Sequence, residues 1–423
     1  MKNSALSELG RRTKAPPISW LMQLTLSRPK LISLAAGFTD SASLPVGDVR
    51  DLMAAMLRSR ETGQPALQYG STQGDPDLRR LTAEHLRRLD KVSDSSRAHS
   101  PGRMIITNGS QQLLYMAAEA LCDTGDIVLV EDPTYFVFLG ILQSRGLRAR
   151  AVRMEHDGLN LARLEEVLRS LARSGELRRV KGLYSVSYFQ NPTGLTTSFE
   201  KKAAVLKLLR KYERRAGHPI YLLEDAAYRE LRFKGGDVQS ALAVPGRADR
   251  VIYAGTYSKP FATGARVGFG ILPEPVFTAA LRIKGNHDFG ASNLLQQLLA
   301  RALATGRYRK HLGELRSRYA RKAQTMLKAL QDHFPPAVEW LKPRGGMYFW
   351  ARLPRGLKSG TKSKLFQTAL EADVLYVPGQ LCYAEDSARP KPNSEMRLSF
   401  GSATEADIRE GIKRLGTVLR KEL

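Results

Sequence analysis

Residues 253–270 read YAGTYSKPFATGARVGFG. A β-rich run at 251–255 empties into a lysine set among hydroxyls: Lys259 follows Thr256 and Ser258, and Arg266 comes seven residues later. A surface turn can have the same composition, so the segments on either side decide the reading. Between about 100 and 270, short β-rich runs alternate with helical ones. The strands expected are 104–107, 127–131, 182–188, 220–224, 251–255 and 267–272. One intervening helix starts near Ser110 and ends at Gly125. Another is introduced by Thr197-Ser198-Phe199-Glu200, which fits a capping box with the threonine oxygen taking a helix-start amide and the glutamate reaching back. Such alternation predicts an α/β fold whose large domain holds a mainly parallel sheet sandwiched by helices. In sheets of this kind ligands bind beyond the carboxyl ends of the strands.

Past about 285 the pattern changes. NLLQQLLARAL and RSRYARKAQTMLKALQDHF have the periodicity of long amphipathic helices. GGMYFWARLP, ADVLYVPG and MRLSFG follow as short strand-like runs, which predicts a smaller α+β domain. The division expected is an N-terminal segment 1–45 that contributes to the small domain and the substrate site, a large ligand-binding domain 46–295 and a small C-terminal domain 296–423. Segments 90–102 and 384–395 are expected to be exposed loops.

A chain of 423 residues is better served by two cores than by one. Its 43% hydrophobic and 25% charged residues are those of a globular protein. Cys122 and Cys382 are the only cysteines, so no disulfide framework exists and a reducing compartment fits. The first twenty residues show no apolar core of a secretory signal, and no run approaches membrane-spanning length; a cytoplasmic location, away from membranes, is expected. The seven histidines are scattered and form no metal-binding spacing. A net charge of +25 attracts anions in general. Its basic residues are spread along helical stretches such as LKLLRKYERR, without zinc-finger, RNA-recognition or basic-zipper patterns. Solvated helix faces are therefore the reading, and no nucleic-acid partner is expected.

Each expected strand ends in polar residues. Asn108-Gly109-Ser110-Gln111 opens a helix, whose free amides form an anion site. Tyr135 follows the second strand, Asn191 the third, and Asp225 with Tyr228 the fourth. Singly, these are a cap, a packing aromatic, a turn and a buried acid in need of a donor. Together they place an acid, an amide, two tyrosines, hydroxyls, an arginine and a lysine around one sheet edge. That set meets the needs of pyridoxal 5'-phosphate: an amine for its aldehyde, a carboxylate for its ring nitrogen, donors for its phenolate oxygen and an anion cradle for its phosphate.

With these residues in hand, the sequence resembles the fold-type-I pyridoxal-phosphate aminotransferases of class I/II, within them the 2-aminoadipate, kynurenine and aromatic or branched-chain branch. The likeness runs from about Leu31 to the C-terminus through SLAAGFTDSASLP, YGSTQGDPDLR, TNGSQQ, EDPTYF, FQNPTG, EDAAYRE, GTYSKPFATGARVG, GGMYFW and MRLSFG. The resemblance implies that Lys259 carries the cofactor and moves the proton. It implies that Asp225 keeps the ring nitrogen protonated, that Tyr228 and Asn191 bond the phenolate oxygen, and that Tyr135 stacks on the ring. Ser110, Gln111, Thr256, Ser258 and Arg266 would hold the phosphate, joined by Tyr69 of a neighbouring subunit in a homodimer. Arg397 would clamp the substrate α-carboxylate, with Asn191 and Gly37 beside the substrate. The activity implied is amino transfer from an aromatic, aliphatic or aminoadipate-like amino acid to a 2-oxo acid such as 2-oxoglutarate, by a ping-pong route. A β-lyase, decarboxylase or racemase on the same fold is the alternative. An aminotransferase-like transcription regulator is a distant one, since only about 30 residues precede LISLAAG. Thr256 stands where the family usually has serine, and Ala36 where many members have a second glycine. Trp20 lies about where aminoadipate-type relatives place a basic residue. This points to an aromatic or aliphatic substrate side chain, with packing of Trp20 against the small domain as the other reading.

Overall fold

The computed structural model describes residues 5–423. The N-terminal stretch enters the fold through β1 (Ile32–Ser33), which pairs in parallel with β12 (Val374–Leu375). The main sheet contains β2 (Met104–Thr107), β3 (Ile127–Asp132), β4 (Arg148–Glu155), β5 (Gly158–Leu159), β6 (Val180–Val186), β7 (Tyr221–Asp225), β8 (Val251–Thr256) and β9 (Gly268–Ile271). Their order across the sheet is β2-β9-β8-β7-β6-β3-β4-β5. The ladders from β4 through β3, β6 and β7 to β8 are parallel, and β9 runs antiparallel to both β8 and β2.

Every residue of β2, β7, β8 and β9 is buried, as a sheet covered by helices on both faces requires. β4 differs. Arg148, Arg150 and Arg153 interrupt it and only Val152 is buried, so near the sheet edge it lacks the apolar run that identifies the other strands. The sequence reading therefore missed it.

The helix Arg307–His333, roughly 40 Å long at 1.5 Å per residue, leads to a small antiparallel sheet. It is built from β10 (Glu339–Leu341), β11 (Tyr348–Arg352), β13 (Val377–Pro378) and β14 (Glu395–Ser399), in the order β10-β11-β14-β13. ADVLYVPG, expected as one strand, is thus divided between two sheets. Residues 33–36 run beside both: Leu34 donates its N–H to Leu375 and accepts from Ser399. This lays the following segment between the small sheet and the carboxyl edge of the large one.

Two local expectations are corrected. The helix Phe199–Ala216 is capped by Ser198, whose Oγ accepts from the Lys201 amide. Thr197 is still extended, donating its N–H to Ser187, so the expected box with Glu200 does not form. The segment 90–102 is not simply exposed, because Asp90 and His99 are fully buried and bonded to each other at 2.6 Å. Its partner loop is likewise tied down: Arg389 Nε bonds Asp132 at 2.8 Å, and Asp386 accepts from the Ala151 amide. No helix among the described residues is long and apolar enough to cross a membrane.

Candidate active site

The carboxyl ends of β2, β3, β6, β7 and β8 meet the amino end of antiparallel β9 at one edge, and every residue picked out in the strand-end sequence signals lies on that edge or just beyond it. At one end of this edge the helix Gly109–Leu121 begins directly after β2. Gly109 takes φ +74°, and a Cβ there would meet the Arg266 guanidinium at 2.9 Å. A Cβ on Gly268 would lie 2.4 Å from the Ser110 amide nitrogen. Two glycines thus let β9 press Arg266 against the helix start. Ser110 is half-buried there, and Gln111 is exposed. Thr256 and Ser258 are buried alongside. Thr256 Oγ1 donates to Val267 and accepts from the Ser258 amide, whereas Ser258 Oγ is buried with no partner. Free amides, a guanidinium and an unpaired hydroxyl make an oxyanion-binding cradle.

The centre holds Lys259. Its Nζ donates to the Gly37 carbonyl at 2.7 Å. Burial, and then repulsion from Arg266 and Arg397, push its pKa down to about 8. Gly37 must be small, since a Cβ would meet the Tyr348 hydroxyl at 2.8 Å. Arg397 is 1% exposed, donates to Asn191 Oδ1 and to the Ala35 carbonyl, each at 2.7 Å, and keeps a buried Nε with no partner. Its guanidinium lies 4.2 Å from the centre of the Tyr348 ring. No carboxylate pairs with Arg397 among the described residues, so this buried cation is matched to an anionic group from outside the chain. Asn191 Nδ2 reaches the Tyr228 hydroxyl at 3.3 Å, and that hydroxyl meets Tyr348 at 3.0 Å.

Asp225 lies on the far side, 3% exposed. Tyr184 donates to its Oδ2 at 2.8 Å and the Ala227 amide to its Oδ1 at 3.0 Å. Burial outweighs these donors and raises its pKa to about 6. No lysine or arginine bonds Asp225 among the described residues, so a protonated ring nitrogen suits it. Tyr135, half-buried at the head of the helix Phe136–Arg145, has its hydroxyl pKa raised by burial and then by the fields of Tyr348 and Asp225. It therefore belongs to the same group.

The elevated carboxyl has a measurable consequence. The folded, cofactor-free chain holds the Asp225 proton up to about pH 6, whereas the unfolded chain releases it near 4. Stability therefore falls as pH rises through that window, by about 3 kcal/mol, and stays lower above it. Asp225→Asn in the cofactor-free protein is expected to melt several degrees above the wild type at pH 8 and close to it at pH 4. Equal differences at both pH values would contradict the assigned shift.

Sequence reasoning missed Tyr184, Tyr348 and Glu131. Glu131 is wholly buried and accepts from Ser185 Oγ, the Val186 amide and Gln190 Nε2, which fixes the turn that carries Asn191. Tyr348 lies inside GGMYFW, a stretch quoted for its resemblance while its hydroxyl went unread. The two remaining expected residues stand apart from the cluster. Trp20, on the helix Pro17–Ser27, is 38% exposed with its ring 5.8 Å from Phe366, the small-domain packing that was the other reading. Tyr69 is 84% exposed, with its ring edge-on to Phe289. A pocket of about 60 Å³ opens between the same N-terminal helix and the segment from Ser33 to Phe38. It is lined by Leu21, Met22, Thr25, Ala36 and Phe38, among others, and is apolar apart from two hydroxyls.

Comparison with known proteins agrees with this chemistry. Residues 29–415 match the family model for aminotransferase class I and II. An aromatic-amino-acid aminotransferase of Thermococcus litoralis is 33% identical over 99% of this chain and 94% of its own length. A 2-aminoadipate transaminase of Thermus thermophilus is 32% identical over 97% of this chain and 95% of its own. The crystal structure of Pyrococcus horikoshii kynurenine aminotransferase in complex with PMP superposes with a TM-score of 0.89 at 31% identity, covering 99% of this chain and 98% of that one. The edge that gathers Lys259, Asp225, Arg266 and Arg397 therefore sits in a chain that belongs to the class I and II aminotransferases, enzymes of the fold-type-I group that work with pyridoxal 5'-phosphate.

Proposed function

We propose that this aminotransferase moves the amino group of an amino acid with an aromatic or aliphatic side chain to a 2-oxo acid such as 2-oxoglutarate, in two half-reactions at one site. The observation that carries the reading is the spacing of charge along one sheet edge: an oxyanion cradle, a buried amine, a buried carboxylate without a cation and a buried guanidinium without an anion. Pyridoxal 5'-phosphate, when bound, supplies an aldehyde for the amino group and a ring that accepts electrons from the substrate's Cα.

The chain's own residues do the rest. Ser258 Oγ, Thr256, Arg266 and the amides of Ser110 and Gln111 bind the phosphate. Asp225, ionised against a cationic nitrogen, holds the proton on that nitrogen. Asn191 and Tyr228 would hold the ring through its phenolate oxygen, and Tyr135 would cover it. Arg397 binds the substrate α-carboxylate by the paired guanidinium geometry that suits it. As a free amine, Lys259 Nζ would take the proton from the substrate's Cα and deliver it to the carbon that the cofactor's aldehyde supplies. The exposure of Tyr69 supports a homodimer in which it reaches the neighbouring site.

The apolar pocket beside Ala36 supports the substrate class, because the Arg397 and Lys259 contacts to Ala35 and Gly37 lie on the adjoining backbone. Trp20 does not line that pocket; Leu21 and Met22 do. The domain limits at 45/46 and 295/296 and a cytoplasmic location are carried forward as part of the same reading.

A donor panel of aromatic, aliphatic, acidic and basic amino acids with 2-oxoglutarate tests it. Glutamate formation fastest with apolar donors is expected. Ammonia, carbon dioxide or the opposite enantiomer as the main product would place the enzyme in a different reaction of the same cofactor.

Tyr184 enters as a positioning residue. Tyr184→Phe keeps the ring stacked on Phe138, now 3.7 Å between centres, and removes only the donor to Asp225. Because that bond lowers the Asp225 pKa, its loss is expected to move the acid limb of the rate profile upward and reduce kcat about tenfold. An unchanged acid limb would leave Tyr184 a packing residue.

A further inference from the structure

The cofactor site uses few of the chain's basic residues, and one cluster lies on the opposite side of the sheet. Arg169, Arg173, Arg178 and Arg215 line a single surface pocket of about 370 Å³, with Gly175 and Leu177 in its wall. Arg169 and Arg173 belong to the helix Leu161–Arg173, Arg178 to the turn Leu177–Arg179, and Arg215 to the helix Phe199–Ala216. These elements lead into the amino ends of β6 and β7. Seven residues of β6, roughly 20 Å of extended chain, separate the pocket from the reacting edge.

None of the four guanidinium groups makes an ion pair or hydrogen bond among the described residues, although acids are near in sequence. Glu165 is bonded by Lys211 at 2.7 Å, Glu166 by Arg163 at 2.5 Å, Glu176 by Arg148 at 2.6 Å and Glu213 by Arg250 at 2.7 Å. Arg169 contributes to the field at Glu165, but only behind Lys211. Glu200 lies in the first turn of its helix, roughly 22 Å from Arg215 along the axis. Every carboxylate on these segments is therefore engaged elsewhere or distant. Helix dipoles account for Arg173 and Arg215, which occupy last turns. That effect fades beyond the final turn, so it explains neither Arg169 nor Arg178.

We propose that this pocket is an anion site for an oligophosphate chain, separate from the catalytic site. All four are exposed, so water and salt weaken their mutual repulsion, but they line one concavity in which a ligand carrying several negative charges can meet all of them at once. Guanidinium forks match phosphate oxygens in pairs, and a monocarboxylate or dicarboxylate brings too little charge to satisfy four.

The test uses the holoenzyme, titrated calorimetrically at physiological salt with inorganic tripolyphosphate and, separately, with ATP. One saturable site per chain is expected. Arg173→Gln with Arg215→Gln should weaken binding about tenfold or more, as should Arg169→Gln with Arg178→Gln. Transamination without the ligand should be unchanged in both. Arg355→Gln with Lys358→Gln, an equal loss of charge at exposed positions that make no ion pair among the described residues, should bind as the wild type does. Equal affinity for the two probes assigns recognition to the phosphate chain; tighter ATP binding adds the nucleoside, still at this pocket. Absence of saturable binding overturns the proposal, as does an equal loss in the pocket and control pairs. So does affinity that grows with the length of a single-stranded nucleic acid and ignores the pocket substitutions.

Discussion

Lys259→Ala is expected to lower turnover by about 10⁴-fold or more, because one atom is asked to do two tasks. In the proposed reading the amine holds the cofactor covalently and then carries the Cα proton, and no other lysine approaches the group formed by Asp225, Asn191 and Arg397 in the described contacts. The other buried lysines are committed: Lys202 pairs with Glu224, Lys284 with Asp288 and Lys322 with Asp40. The environment of Lys259 also sets its pH behaviour. With its pKa brought down to about 8 by burial and by two arginines, about a tenth of the amine is neutral at pH 7. The rate at which cofactor-free protein captures pyridoxal 5'-phosphate should therefore climb as pH rises through 8 and level off above it. Stopped-flow absorbance measures both effects. The variant should lose the visible band that depends on the lysine, and added small amines should restore part of the proton transfer. Wild-type turnover from the alanine variant would remove the assignment of Lys259.

What could be read from the sequence follows from how each element is buried. β2, β3, β6, β7 and β8 carry apolar runs because both of their faces are covered, so their ends, and the polar residues just past them, could be located within a residue or two. β4 could not, because its arginines face solvent near the sheet edge. Asp225 could be found because an acid closing an apolar strand is conspicuous. Its donor Tyr184 could not, since a tyrosine inside such a strand looks like packing. Only the register shows its purpose: Tyr184 lies opposite Leu223, and Leu223 and Asp225 share one face of β7. The packing of Trp20 on Phe366 was not legible for a related reason. Side-chain direction on a short helix decides whether Trp20 or its neighbour Leu21 meets the pocket, and local periodicity over Pro17–Ser27 is too weak to fix it. Tyr69 lies between these cases. Its exposure beside Phe289 is legible only in three dimensions, and the task proposed for it would depend on a second chain.

Asp225→Ala is the second large loss expected, about 10³-fold or more in kcat, with a different signature from the lysine variant. In the proposed reading the carboxylate does not touch the bond being broken; it would stabilise positive charge on the ring nitrogen, and so govern how well electrons leaving Cα are accommodated. In the folded chain it is buried, with two neutral donors and a pKa of about 6. It is therefore ionised only at some cost until a cation faces it. The cation and the carboxylate stabilise each other, which lowers the acid's pKa once the site is filled. Above about pH 6 the free protein has already met the cost of ionising Asp225, so cofactor affinity should be greatest there and should decline as acid protonates the carboxylate. Asp225→Ala should abolish that dependence and weaken affinity, while Lys259, about which nothing has changed chemically, still forms its covalent link and its visible band. Asp225→Glu moves the charge by one methylene in a buried site and should recover only part of the rate. Equilibrium dialysis of the cofactor across pH 5 to 8, with single-turnover rates at saturating donor, separates binding from electron acceptance. If the alanine variant kept both the wild-type rate and the wild-type pH dependence of affinity, the ring nitrogen would have to lie elsewhere, and the orientation of the cofactor between Arg266 and Asp225 would be wrong.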